Sequence, residues 1–221
     1  MGRYLKIINI FLKMSYQLAL EYRANFMIWV LVDIGWGFID LVFFGALAST
    51  INTIGRWSLG EVFVVVGLYR LFSIPLWSWM YACFSQLPAM ISEGKLDLIL
   101  TKPIDSQFAV SVRHISFNML SSVIIGFFYI VTGLKLYGYS PSVINIIQSI
   151  WLFLTATIMI YAVYFLTVAV GLFFDRINNL HNLFPNFFHA ARYPPEIYAP
   201  ILQRILTTIL PLALMVFVPA E

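Results

Sequence analysis

Charged residues are scarce in this sequence. They make up 10% of its 221 positions, whereas hydrophobic residues make up 61%. A soluble domain carries roughly 25% charged residues, so a chain this poor in charge has too little polar surface to cover a dissolved globule. The mean hydropathy of +0.88 points the same way. These values exclude a soluble domain and predict an integral membrane protein.

Cysteine and the common catalytic motifs are also scarce or missing. Cys83 is the only cysteine, which excludes an internal disulfide and a thiolate metal site. The sequence has no GxxxxGK(S/T), GxGxxG, HExxH or GxSxG motif, so we expect no catalytic residue and no nucleotide cofactor in this chain. His114, His181 and His189 have no carboxylate at metal-ligand spacing, and no metal site is expected either.

The sequence contains several long apolar runs. A helix that crosses the roughly 30 Å hydrocarbon core of a bilayer needs about 20 apolar residues. The runs of this kind lie at about 26–47, 62–84, 116–134, 150–173 and 201–218. They are continuous rather than alternating, which argues against a transmembrane barrel. The predicted fold is therefore an all-α integral membrane protein, with 1–221 as one transmembrane domain.

The first 23 residues precede the first run and have a different pattern. A polar stripe follows one helical face, made of Lys6, Asn9, Lys13, Gln17 and Glu21. Apolar side chains cover the rest of the helix, and no small-residue cleavage site follows, as a signal peptide would need. Residues 1–23 are predicted to form an amphipathic helix on the membrane surface; an early part of the first span is the alternative.

The distribution of Lys and Arg predicts the orientation. With the N-terminus inside, ten basic residues lie in inner segments: Arg3, Lys6, Lys13, Arg23, Lys95, Lys102, Arg113, Arg176, Arg192 and Arg204. The outer loops contain two, Arg56 and Lys135. Because inner loops are enriched in Lys and Arg, we expect a cytoplasmic N-terminus. The net charge of +3 then reflects segments beside anionic lipid, and no nucleic-acid partner is expected.

Three charged side chains, Asp33, Asp40 and Arg70, lie within the predicted spans. An ionisable side chain in hydrocarbon costs at least about 2.5 kcal/mol unless it is paired or hydrated. Asp33 and Asp40 are seven residues apart and share a helix face, on the same stretch as two small residues, Gly35 and Gly37. Depth counting places Asp33 and Arg70 both near mid-membrane and predicts that they pair. Such a pair either braces two helices or lines a pathway for substrate or protons.

The inner connection between the second and third spans runs from Met90 to Asp105. It has a helical period, with Leu96, Ile99 and Leu100 on one face and Glu93 and Asp97 on another. Gly94 and Pro103 bracket it. This pattern predicts a short amphipathic surface helix that could dock a cytoplasmic partner.

The same connection carries a family resemblance. Its stretches Glu93-Gly94-Lys95-Leu96-Asp97 and Leu100-Thr101-Lys102-Pro103-Ile104-Asp105 are similar to those of permease subunits of type 2 ATP-binding cassette exporters, specifically the six-span bacterial branch. Residues 192–198, 209–211 and 218–220 also resemble that branch, so the likeness covers nearly the whole chain. A sixth span, which the family has, is expected to be absent here.

The resemblance implies a function and partners. Family members begin with an interfacial helix, and the loop after their second span receives motion from an ATPase. By this likeness, Glu93, Gly94, Lys95, Leu96, Asp97, Leu100 and Pro103 form the coupling loop. The expected partners are an ATPase subunit that binds ATP and Mg, a second permease copy or homologue, and the lipid bilayer, in a bacterial inner membrane. Two alternatives stay open: a proton-coupled carrier that uses Asp33 and Asp40, and a structural subunit without transport.

Overall fold

The computed structural model describes residues 2–50, 53–54, 57–171, 186, 188–189 and 199–204. Long helices dominate this part of the chain, which confirms the predicted all-α class. Among the described residues, four helical stretches are long and apolar enough to cross a membrane. They are Arg23–Ala46, Leu59–Ser92, Leu120–Tyr137 and Val143–Val170.

The chain begins with two helices, α1 (Gly2–Glu21) and α2 (Arg23–Thr50), separated at Tyr22. The buried residues of α2 form one stripe that consists of Asp33, Gly37, Asp40 and Phe44. Large apolar residues such as Leu31 and Phe38 are exposed on the other faces. This distribution is the reverse of that in a soluble helix and suits a helix whose outer faces contact lipid.

A two-residue hairpin connects α2 to the next helix. Its strands are β1 (Thr53–Ile54) and β2 (Trp57–Ser58), paired antiparallel. Ser58 then caps α3 (Leu59–Ile74), because its hydroxyl accepts from the Glu61 N–H while the Glu61 carboxylate accepts from the Ser58 N–H at 2.7 Å. This reciprocal capping satisfies N–H groups that the first helical turn leaves unpaired.

The helix that begins with α3 changes its winding at Pro75. A π-helical segment follows at Pro75–Tyr81, then α4 at Ala82–Phe84. Proline has no N–H to donate to the preceding turn, and wide π turns occur mostly as short insertions within α-helices, frequently at functional sites. The Ser78 carbonyl in this segment accepts from the Ser116 N–H at 2.7 Å, so the π segment is also bonded to a distant part of the chain.

Glycines allow α8 (Leu120–Tyr137) to pack antiparallel on α3 with their backbones in contact. A Cβ added at Gly133 would lie 2.6 Å from the Gly60 carbonyl oxygen, and one at Gly67 would lie 2.8 Å from the Gly126 carbonyl oxygen. No real side chain tolerates these distances. The four glycines therefore determine how closely the two helices approach.

The last long helix, α9 (Val143–Gly171), packs mainly through its second half. Its buried residues recur at intervals of four, at Ala156, Ile160, Tyr164 and Val168. The Tyr161 ring stacks on Trp79 of the π segment, with 5.6 Å between ring centroids. The described residues end in a short helix, α10 (Pro200–Arg204).

Three short helices connect α4 to α8: α5 (Leu87–Ser92), α6 (Asp97–Leu100) and α7 (Ser106–Ser111). Gly94 has a φ of 67°, a left-handed conformation that glycine adopts without a Cβ penalty, and it makes the turn between α5 and α6. Asp105 caps α7 by accepting from the Phe108 N–H at 2.7 Å. Residues 112–119 then lead into α8.

The observed helix bounds differ from the predicted runs by more than three residues in two places. The third run was expected from 116, but α8 begins at Leu120, and the Ser116 N–H bonds to the Ser78 carbonyl of the π segment instead of joining a helix. The fourth was expected from 150, but α9 begins at Val143, where the Ser142 hydroxyl accepts from the Asn145 N–H. Apart from α10 at its start, the fifth predicted run lies outside the described residues.

Candidate functional site

Two acidic side chains and one basic side chain meet inside the helix bundle. Arg70 donates from Nη1 to Asp33 at 2.8 Å and from Nη2 to Asp40 at 2.6 Å. All three are buried, with at most 8% of any residue exposed. The pair expected between Asp33 and Arg70 is therefore present, and Asp40 joins it. Because guanidinium donors form a rigid fork, one arginine can hold two carboxylates one helical repeat apart.

Serines on α8 complete the coordination of Asp33. The Ser121 hydroxyl donates to one carboxylate oxygen at 2.6 Å, and the Ser122 hydroxyl lies 2.9 Å and 2.7 Å from the two oxygens. Hydrogen bonds to a carboxylate are among the strong ones. Three helices, α2, α3 and α8, are thus held together by one polar network. The Nε of Arg70 is buried with no hydrogen-bond partner among the described residues.

A second contact fixes α2 against α8. The Tyr129 hydroxyl donates to the Gly37 carbonyl at 2.8 Å. A Cβ added at Gly37 would come 3.1 Å from the Ile125 side chain, whereas one added at Gly35 would meet nothing within 4 Å. Of the two glycines singled out in the sequence, only Gly37 lies where another helix comes close.

The network forms part of the wall of a cavity of about 670 Å³. The cavity reaches from Asp40 towards Gln86 and His114, near the end of the bundle that carries α5 to α7. Its aromatic lining residues come from α2, α3 and the π segment: Trp29, Trp36, Tyr69, Trp77 and Tyr81. Volumes of this size are typical of ligand sites.

A second cavity, of about 910 Å³, lies on the other side of the π segment. Its walls come from α3, α8 and α9 and include Leu68, Phe72, Ile130 and Phe153. Trp77 faces the first cavity, and Trp79 faces the second. The π segment is therefore a partition between two cavities.

The predicted coupling residues lie together between α5 and α7. Glu93 and Lys95 form an ion pair at the surface, where more than half of each side chain is exposed, so the pair contributes little stability. Gly94 makes the turn, Asp97 begins α6, and Pro103 follows it. The helical part is shorter than expected, because it is confined to Asp97–Leu100.

The face expected to carry Leu96, Ile99 and Leu100 is divided in the structure. Ile99 is buried and Leu96 half-buried, so both pack towards the body of the protein. Leu98 and Leu100 are instead 66% and 56% exposed. Ile99 points inward from this four-residue helix, so its two neighbours in sequence, Leu98 and Leu100, lie on the outer sides. The exposed apolar pair available to a partner is Leu98 and Leu100.

Ser111 at the end of α7 connects this region to the bundle. Its carbonyl accepts from the Trp79 indole at 2.5 Å and from the Cys83 thiol at 3.3 Å. Its hydroxyl lies 2.6 Å from that of Tyr161 on α9. A displacement of α7 would therefore act directly on the π segment and on α9.

The first helix also contacts this region. Arg3 donates to the Pro103 carbonyl at 3.2 Å, and the Tyr4 ring meets the Phe108 ring edge to face at 4.7 Å. Further along α1, the Ser15 hydroxyl accepts from the Ile115 N–H at 3.1 Å. These contacts hold α1 beside the short helices α6 and α7.

The histidines do not form a metal site within the described part of the chain, where no cluster of three metal-ligating side chains occurs. His114 and His189 both line the first cavity. Burial lowers the pKa of each from its ordinary value, because the charged form loses hydration. His189 lies 3.2 Å from the Tyr69 hydroxyl. His181 falls outside the described residues.

Sequence reasoning missed several residues that shape the site. The α3–α8 glycines were detectable, because Gly60 and Gly67, and again Gly126 and Gly133, are seven apart and so share a helix face. Ser121 and Ser122 gave no signal, since serine is common in membrane helices and its partner depends on tertiary packing. The tryptophans of the lining gave no distinct signal either, because Trp is also common where a membrane helix meets the headgroups.

Comparison with known proteins gives the family. A family model described as "ABC-2 family transporter protein" matches residues 34–221, from within α2 to the last residue. Searches of curated proteins and of solved structures found no match. The family match covers Asp40 and Arg70 of the ion network and the short helices α5 to α7, and it begins one residue after Asp33. The chain therefore belongs to the ABC-2 transporter family, as a multi-pass membrane component of transport.

Proposed function

We propose that this chain is the permease subunit of an ATP-binding cassette exporter, paired with a second permease and driven by separate ATPase subunits. Family membership supports the transport role. The observation that carries the coupling is the exposed apolar pair Leu98 and Leu100 on a short helix next to a polar turn. Exposed leucines flanked by charges suit a protein partner better than water.

The proposed coupling passes through contacts of the described residues. An ATPase that binds Leu98 and Leu100 would displace α6 and α7 together, since only a short connection separates them. Ser111 would pass that displacement to Trp79 on the π segment. Trp77, two residues away, lines the first cavity. The path from docking surface to cavity wall is thus continuous and short, as expected for coupling carried by packed and hydrogen-bonded contacts.

The carrier alternative finds less support. A proton carrier needs a carboxylate that can exchange protons with water, but both oxygens of Asp33 are engaged by Arg70 and two serines. The same arrangement fits a brace between helices that border a pathway. We therefore assign Asp33, Asp40 and Arg70 to bracing the wall of the first cavity.

Loss of the apolar docking pair is expected to release the ATPase. The tagged chain is purified from its native membrane in mild detergent, and bound proteins are identified by mass spectrometry. Wild type should retain an ATPase and a second permease, whereas Leu98→Asp with Leu100→Asp should lose at least about tenfold of the ATPase, as expected for residues central to an interface. The second permease should stay.

The matched control is Leu98→Met with Leu100→Met, which keeps the surface apolar and should retain the ATPase. If no ATPase accompanies wild type, the chain is not an ATPase-driven permease. If an ATPase is retained equally by the aspartate variant, docking lies elsewhere and the coupling path through α6 and α7 is wrong.

A further inference from the structure

The second cavity has walls and an opening that suit one kind of occupant. We propose that it holds an acyl chain of a membrane phospholipid, with the lipid head at the end of the bundle opposite to α5, α6 and α7. This site does not depend on the proposed function, because it needs neither an ATPase nor a cargo. The composition of its walls, the side on which it opens and its depth each support it.

The walls of the cavity are largely apolar. The helices that form them, α3, α8 and α9, are described along the stretches that line it, and their apolar lining residues include Leu68, Phe72, Phe127, Ile130, Ile150 and Phe153. A buried water needs several polar partners, which these side chains do not supply. An empty cavity of about 910 Å³ would leave its lining without contacts on one side. Hydrocarbon is the occupant that suits these walls.

Most polar side chains of the lining lie at one end of the cavity. Glu61 is in the first turn of α3, Tyr137 in the last turn of α8 and Asn145 in the first turn of α9. Tyr139 joins them, because its hydroxyl accepts from the Asn145 amide at 2.6 Å. Ser78 lines the opposite end. Tyrosine is common at headgroup level, so the end with the tyrosines suits a polar lipid head above an apolar chain.

The cavity opens sideways, between α8 and α9. Phe127 on α8 and Ile146 and Ile150 on α9 line it, yet they are 56%, 48% and 55% exposed. Side chains that are both lining and exposed border an opening. Because α8 and α9 are long and apolar enough to cross a membrane, this opening faces the hydrocarbon of the bilayer. An acyl chain can therefore enter the cavity without crossing water.

The depth of the cavity matches an acyl chain. On α3 the lining runs from Glu61 to Ile74, which is about 20 Å at roughly 1.5 Å per residue. One leaflet contributes about 15 Å of hydrocarbon, half of the bilayer core. Towards the π segment the Phe72 and Phe153 rings meet, with 4.5 Å between their centroids. A chain that enters beside the tyrosines is thus long enough to fill most of this depth.

The first measurement is the phospholipid that wild type retains. The full-length chain is reconstituted in phosphatidylcholine, extracted again in mild detergent, washed extensively and analysed by native mass spectrometry. We expect each chain to retain one phosphatidylcholine. This lipid has no net charge, so basic residues on the surface do not hold it. A wild-type chain that retains none after washing would overturn the proposal.

Tryptophans placed in the opening test whether the retained lipid lies in the cavity. Ile146→Trp with Ile150→Trp adds bulk at two exposed lining positions, so the fold should stay intact and most of the bound lipid should be lost. The control is Ile144→Trp with Ile147→Trp. It makes the same change on the same helix at residues that are 66% and 61% exposed and are not among the described lining residues. Equal losses in both variants, or unchanged retention in the lining variant, would refute the site.

A photoreactive phosphatidylcholine gives a second readout that needs no substitution. It carries a diazirine at the end of one acyl chain and is irradiated in vesicles that contain the wild-type chain. Adducts on Leu68 of α3 and Ile130 of α8, which are half-buried and line the cavity, are the expected result. Adducts confined to exposed residues such as Leu31 and Phe38 of α2 would place the lipid on the outer surface alone and contradict the proposal.

Discussion

Replacing Arg70 with Met is expected to cost about 3–5 kcal/mol of folding free energy, because it leaves buried carboxylates without their cation. Asp33 and Asp40 are 5% and 1% exposed, so water cannot readily replace the guanidinium. The Met side chain fills a similar volume, and the loss is therefore electrostatic. The measurement is the unfolding free energy in mixed micelles, with monodispersity on size-exclusion chromatography as a second readout.

The triple variant Asp33→Asn, Asp40→Asn, Arg70→Met tests the cause. It removes all three charges and keeps groups that can bond Ser121 and Ser122. We expect it to recover most of the lost stability, since a charge-free replacement of a buried ion network is often neutral or stabilising. Arg70→Lys should lie in between, because one ammonium does not reproduce a forked contact with two carboxylates. A triple variant as unstable as the single one would show that packing dominates.

Substituting alanine for Gly133 is the second change expected to have a large effect. The added Cβ would lie 2.6 Å from the Gly60 carbonyl and 2.8 Å from the Val64 N, both backbone atoms that cannot swing aside. The helices α3 and α8 would have to separate, at a cost of about 1–3 kcal/mol or more. We expect a lower melting temperature and a smaller yield of monodisperse protein.

Gly35→Ala is the matched control. It also adds one methyl to a glycine in a membrane helix, but a Cβ there meets nothing within 4 Å. Because alanine favours the helix over glycine, this variant should be as stable as wild type or more so. Equal destabilisation by the two substitutions would contradict the close approach of α3 and α8.

The ion network shows how far sequence alone could lead. Two aspartates one helical repeat apart and an arginine at equal depth predicted the Asp33–Arg70 pair, because unpaired charges are too costly in hydrocarbon. The participation of Asp40 was not predictable from depth, which says nothing about how far a forked side chain reaches. Whether Ser121 and Ser122 face Asp33 depends on how α8 is rotated about its axis. A uniformly apolar sequence does not specify that rotation.

The short helix α6 shows that helical period alone does not predict which residues are exposed. Helical period placed Ile99 with Leu100 on one docking face, yet the structure buries Ile99 and exposes Leu98 and Leu100. A helix of four residues is too short for its period to choose a face, so tertiary contacts decide. The π segment was not predictable from the sequence either. Pro75 indicates a break in the helix, but the hydrogen bond between the Ser78 carbonyl and the Ser116 N–H forms only in the folded chain.

The π segment also gives the two cavities a shared wall. Trp77 and Trp79 belong to the same wide turn but line opposite cavities, so a change in the winding of that turn alters both volumes at once. A lipid chain held in the apolar cavity and a ligand held beside the ion network would then each change the affinity of the other by the same factor. The composition of the surrounding bilayer would in this way regulate the affinity of the first cavity for its ligand.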